Sequence, residues 1–425
     1  MTRHFKFCVA LATALTFSCI TSVATATLNT ASAAPKIPLI KSSASVAISE
    51  ASGAIGLIRF QQGFIVAGYN NEDRSFLAFL DSKGAEIWRS NPLGNQEGFI
   101  TAIAASGTSI FVAGVSQGAV QISPIVGGTP TPSAAATPLV STTPTPTPTP
   151  ATGATKTIPL VNPDNVVVGT KETFREDLNN LFVLEVNSTG SPISIVNATN
   201  GKSFLPSSIA ITGERNYVVG DEYPSENVKL GALYVFGRES LQNSYSYGEK
   251  FTSFKKVITK SSKSISVVGS SSDSLGERKV LGKADGVVLT IAATSGKFEK
   301  VLRSSGSTKS AMRSWDSATG NLVVAGIAQE KKVRESVITS FSPTGSVTWS
   351  TRFQNSNRAL VAGSCGAVSL FGANKSLPFS PTGPEIFLFT VDAKGKVQSG
   401  VRVAKQELIS LVATANKGCA ALTYS

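Results

Sequence analysis

The chain has 425 residues, 41% of them apolar and only 16% charged, with a formal net charge of +12. That is ample apolar material for one large or two ordinary domains, and the basic excess favours anionic partners such as wall polymers or acidic glycans. Its single histidine, His4, lies at the start of the chain, so the remainder has no Ser-His-Asp or Cys-His catalysis and no His-ligated zinc or iron.

Residues 1–33 read as a secretory signal peptide. Arg3 and Lys6 supply the positive start and Phe7 to Ile20 the apolar core. Ala31-Ser32-Ala33 is the preferred cleavage motif, with Ala24-Thr25-Ala26 as its rival. Cys19 suits lipidation badly, because Phe17 stands two positions before it. No later apolar run is long enough to span a bilayer, so a secreted or cell-surface protein is expected. Cleavage after Ala33 removes Cys8 and Cys19, and the remaining pair, Cys365 and Cys419, is expected to form one disulfide.

From 36 to 425 one pattern returns. Apolar runs ending in glycine occur as "GFIVAG" (63–68), "SIFVAG" (109–114), "NYVVG" (216–220), "SISVVG" (264–269), "NLVVAG" (321–326) and "AVSLFG" (367–372). Most are followed by a polar loop and a second apolar run closed by a tight turn, such as "FLAFLDSKG" (76–84) or "IFLFTVDAKG" (386–395). The glycine of that turn suits a left-handed backbone joining two antiparallel strands. With one strand before and one after, each unit holds four short strands in about 48 residues, the period of an all-β β-propeller. A β-sandwich of the same strands would not explain the recurring order.

The second unit is interrupted at 117–177, within which the Thr/Pro-rich segment 129–157 has extended polyproline-like character and plausible O-glycosylation sites. It reads as an insertion between strands two and three of blade two; were its flanks strands of an extra blade, the count would become eight. The end, "ELISLVATANKGCAALTYS" (407–425), reads as the first two strands of a further unit, and "KIPLIKSSASVAISE" (36–50) can supply its outer strands. Six full blades plus one closed by both termini make an expected seven, with six or eight as alternatives. A Cys365–Cys419 bond would staple the last full blade to that closure.

Gly-x-x-x-Trp at Gly84–Trp88 and Gly345–Trp349, after an Asp-x-x-Gly-like turn, resembles bacterial secreted propeller repeats of the SBBP type and, more loosely, PQQ-like repeats. The resemblance spans nearly all of 36–425 and implies fold and export. It transfers no catalytic residue, since no quinoprotein calcium-and-aspartate arrangement is found to map.

In a propeller, the loops joining strands two and three open on one face, and here they vary most. They carry Asp73 and Arg74, Arg175, Asp221 with Glu222 and Tyr223, Arg278, and Lys331, Lys332 and Arg334, all candidate ligand contacts. Counting back from the glycine ending strand two reaches the innermost strand, at Lys256, Arg313 and Arg358 in blades four to six but at apolar or hydroxyl residues in blades one to three. Three cations at the channel mouth would hold a carboxylate, sulfate or phosphate. A one-residue slip in register would make some of them ordinary surface charges.

No loop has EF-hand spacing, so no metal site and no cofactor are expected. Catalytic residues are likewise not expected, because the candidate mouth positions are basic or apolar and "SPTGSVTW" (342–349) lacks the aspartate of a sialidase-type box. The expected function is a non-catalytic binding scaffold at or outside the cell envelope, carrying an anionic glycan or wall polymer on its loop-rich face. The alternatives are a glycan-active propeller hydrolase or lyase, and a scaffold that assembles another exported protein. Scattered basic residues argue against nucleic acid, and a monomer is expected.

Overall fold

The computed structural model describes residues 44–122, 178–199, 202–225, 227–374, 383–404, 407–415 and 418–424, a strand at 5–10, and positions 37, 377 and 379–381. The chain is an all-β propeller. Six blades are each one continuous stretch, at 51–90, 98–199, 203–247, 252–304, 312–354 and 356–404. In each, four antiparallel strands follow one another in chain order from axis to rim. Their second and third strands are buried on both faces, as in Gly63–Asn70 and Ser75–Leu80. Apolar side chains on the two faces pack against the neighbouring sheets: Phe60 and Leu77 join Ile103 and Phe182 between blades one and two, and Tyr217 and Leu233 join Phe254 and Val267 between blades three and four.

Continuous blades thus number six, not seven. The other sheet draws on both chain ends, in the order Ala44–Ile48, Phe5–Ala10, Cys419–Tyr424, Glu407–Ala413. Phe5–Ala10, third from the axis, comes from within the expected signal, and 36–50 supplies only the outermost strand. The reason is directional. Ala44–Ile48 and Cys419–Tyr424 are both antiparallel to Phe5–Ala10. They therefore run parallel to each other, and neither can sit beside the other in an antiparallel sheet. Glu407–Ala413 touches the innermost strands of blades six and one, Ser356–Ala362 and Ala51–Phe60.

Two local devices explain the repeat. In the first, the turn glycines Gly84, Gly190, Gly296, Gly345 and Gly395 have φ between +66° and +99°, as expected for such turns. Against them rest Val46, Trp88, Tyr245, Leu302 and Trp349, each from the outermost strand of the preceding sheet; an added Cβ would lie 2.3–2.8 Å from those side chains. Trp88 Nε1 also donates to the Ser188 carbonyl at 2.9 Å, and the Tyr245 hydroxyl to the Thr294 carbonyl at 2.8 Å. Gly-x-x-x-Trp is therefore a rim lock: the glycine makes room for one neighbour and the tryptophan reaches the other.

In the second, every innermost strand carries a β-bulge. The residue skipped in pairing is Ile55, Thr101, Ser207, Lys255, Asp316 and Asn357 in blades one to six, and Ile409 in the terminal sheet. In blades one to five the glycine of strand two, at 68, 114, 220, 269 and 326, faces the residue just before the bulge. A Cβ on any of these glycines would meet a carbonyl oxygen of the bulged strand at 1.9–2.5 Å. These glycines thus accommodate a close backbone approach next to the channel.

Cys365 and Cys419 are disulfide-bonded, with Cα atoms 5.7 Å apart, and tie blade six to the terminal sheet as expected. The chain between Ser116 and Asn180 connects strands two and three of blade two. The Thr/Pro-rich segment 129–157 lies outside the described residues, as does the cleavage motif at 31–33. Among the described residues no helix is long and apolar enough to cross a membrane.

Candidate functional site

A cavity of about 660 Å³ lies on the axis. Its wall includes all the bulge residues except Thr101, so in every sheet but that of blade two the bulge turns one residue toward the channel. Asp221, Tyr223, Lys229 and Arg334, from the end of strand two or the start of strand three, also line it. The cavity therefore sits toward the two-to-three loops.

Charge is distributed unevenly around this wall. Lys255, Lys256, Lys229, Arg334 and Arg358 face two carboxylates, Asp221 and Asp316. Asp221 is fully engaged. The Ser253 hydroxyl donates to it at 2.8 Å and the Phe254 amide at 3.1 Å, while Lys255 and Lys229 lie 3.0 and 3.7 Å away. Burial pushes its carboxyl up, but Lys255, Lys229 and Ser253 outweigh that and hold it below its ordinary value.

Asp316 is the opposite case. It stands on the bulge of blade five, and among the described residues no donor is within hydrogen-bond reach. Burial raises its carboxyl above the ordinary value, only partly countered by the field of Arg358, Lys255 and Arg334. The Lys256 amine also lacks a partner among the described residues, and burial lowers it. Arg358 Nη1 donates to the Leu408 carbonyl at 2.9 Å, and Arg334 Nη2 to the Asn357 carbonyl at 3.3 Å. The Arg334 Nε is buried without an acceptor.

No family model matches the chain, and no curated protein does. Among solved structures it is similar to the quinohemoprotein alcohol dehydrogenase ADHIIG of Pseudomonas putida, at 7% identity over 87% of this chain and 73% of that one, with a TM-score of 0.42. It is also similar to the Dos1 propeller, at 8% identity over 89% of this chain and 93% of that one, with a TM-score of 0.40.

Five of the expected site residues converge on the cavity: Lys256, Arg358, Asp221, Tyr223 and Arg334. Arg313 does not. The paired arms between the bulge and the turn are shorter in blade five than in blades one to four, so Gly326 faces Trp315 and the channel position falls to Asp316. Arg313 instead lies between blades four and five, donating to Ser304 Oγ at 2.6 Å with its guanidinium 5.6 Å from the Trp315 ring. The counted register was thus wrong in blade five, and the expectation of a mouth with only basic or apolar positions is corrected by Asp316 and Asp221.

The remaining candidates are dispersed. Asp73 and Arg74 line a separate cavity of about 320 Å³, where Arg74 donates to Asn95 Oδ1 at 2.6 Å. Glu222 is buried within blade three, bonded by Lys202, Tyr234 and Ser246. Arg278 is exposed on the loop after Ser264–Ser271, and Lys331 and Lys332 form the exposed turn before Val333–Phe341. Arg175 lies outside the described residues. Lys255, Lys229 and Asp316 were missed. Pairing each glycine with the bulge, rather than counting a constant interval, would have pointed to Lys255 and Asp316.

Proposed function

We propose that this is an exported, non-catalytic binding scaffold of the cell envelope, and that its axial cavity receives an anionic group of a glycan or wall polymer. The supporting observation is the charge imbalance on a partly desolvated wall. Asp221 is matched by Lys229 and Lys255, which leaves Lys256, Arg334 and Arg358 against Asp316 alone. Converging cations with spare donors attract and orient carboxylate, sulfate or phosphate.

The terminal sheet is proposed as a seventh blade. Its innermost strand bridges blades six and one, its Val46 rests on Gly84 as the rim locks do elsewhere, and its Leu422 packs with Phe64 of blade one. Cleavage after Ala33 would remove the Phe5–Ala10 strand, with which Ala44–Ile48 pairs, and leave the blade with the hydrogen-bonded pair Glu407–Ala413 and Cys419–Tyr424, anchored to blade six by the disulfide. The hydrolase or lyase alternative gains one observation, the presence of both Asp221 and Asp316 in the cavity. It is weakened because Asp221 is already bonded by Ser253, Phe254 and two lysines.

Co-sedimentation with insoluble cell envelope at low and moderate salt tests the reading. Saturable binding is expected, abolished in the Lys256, Arg334 and Arg358 to Ala triple variant and retained in Arg313→Ala. Thermal melts confirm that both variants fold. Equal loss in the two, or binding that only salt removes, would mean diffuse charge rather than a site. No binding at either salt would overturn the proposal.

A further inference from the structure

The cavity is built for more than a bare anion, and this step rests on the anion-binding reading above. Asp316 is a carboxylate placed among cations without a hydrogen-bond donor from the described protein. Its carboxylate opens on the cavity, and a ligand that displaces water from it must supply a donor, because an unpaired carboxylate costs free energy. A simple oxyanion drawn in by Lys256, Arg334 and Arg358 would leave that requirement unmet and would be repelled by Asp316. A ligand carrying a hydroxyl close to its anionic group would meet both needs, the anion facing the cations and the hydroxyl donating to Asp316.

The charge of the ligand follows from the same wall. Three cations against one carboxylate leave room for about two negative charges, which is what a phosphate monoester carries near neutrality. A sugar carboxylate would supply one. Guanidinium groups such as Arg334 and Arg358 match the oxygens of a phosphate well. The volume, about 660 Å³, greatly exceeds that of a single phosphate and lies in the range of sites for small organic ligands. We infer that the axial cavity binds a hydroxyl-bearing phosphate monoester, a phosphorylated polyol or sugar end, with Lys256, Arg334 and Arg358 on the phosphate and Asp316 accepting from an adjacent hydroxyl.

Titration calorimetry of the purified protein with inorganic phosphate, glycerol 3-phosphate and glycerol, at low salt, tests this. The wild-type protein is expected to bind glycerol 3-phosphate about tenfold more tightly than inorganic phosphate, the contribution of a hydrogen bond to a charged acceptor, and glycerol undetectably. Asp316→Asn should bind inorganic phosphate more tightly, because a repulsive charge is gone, and should lose most of the preference for glycerol 3-phosphate. Equal wild-type affinities for the two anions would overturn the assignment of Asp316 while leaving the anion site standing. So would an Asp316→Asn change that scales both affinities by one factor. Failure of the wild-type protein to bind either anion would remove the cavity reading itself, and this inference with it.

Discussion

Lys256 occupies a costly position: its amine is held among the channel residues of blade four without a partner among the described residues, and burial lowers its proton affinity. Such a residue sacrifices stability for what it can bind. Replacing it with methionine, which keeps the aliphatic stem, is expected to raise unfolding stability by about 1 kcal/mol and to weaken phosphate binding. The pH dependence has a definite sign. Between the lowered folded-state value and the ordinary 10.5, the unfolded chain holds a proton that the folded one has released. Stability gained from this group therefore rises with pH through that window, and Lys256→Met should lack the rise. Urea melts at neutral and alkaline pH measure both effects; a methionine variant less stable than wild type would mean that the amine has a partner in the fold.

At the level of the strand, the repeat glycine and the bulge form one device. Strand two comes within close reach of the bulged backbone beside the channel, and a methyl group at Gly220 would stand 2.0 Å from the Leu205 carbonyl oxygen. Because the obstacle is backbone rather than a movable side chain, Gly220→Ala should cost about 2–3 kcal/mol. Gly118, with open space around its Cβ position and no positive φ, supplies the comparison and should change little. Urea denaturation of the two variants decides it, since equal stabilities would show that the bulge is not held by this contact. The glycine itself is legible in the chain as the end of each apolar run. Which residue it places opposite the channel is not, because that depends on the length of each inner hairpin, and blade five breaks the count. Lys256 and Arg358 were reached by counting; Asp316 and Lys255 needed the pairing.

Across the whole molecule, closure rests on few connections. The terminal sheet is bound to blade six by apolar packing of Leu408 and Leu411 with Leu360 and by the Cys365–Cys419 bond. A cross-link closing a loop of that span constrains the unfolded chain by about 4 kcal/mol in the chain-entropy model. Cys365→Ser should therefore lower the melting temperature, and hydrogen exchange should accelerate first in Glu407–Ala413 and Cys419–Tyr424. Uniform acceleration around all blades would show instead that the ring opens as one cooperative unit.

By itself the sequence determined the architecture: strand length, turn chemistry and the four-part order are local properties, each written in a few consecutive residues, and together they admit little besides a propeller. It also pointed to the disulfide, by placing Cys365 and Cys419 in the second strands of successive units. Tertiary structure alone decided the cavity. Asp221, Asp316, Lys256, Arg334 and Arg358 come from four blades, and their convergence depends on bulge register and hairpin length accumulated around the ring. A single-residue difference in pairing moves a side chain from one face of a sheet to the other, which is why Asp316 faces the channel and Arg313 lies between blades.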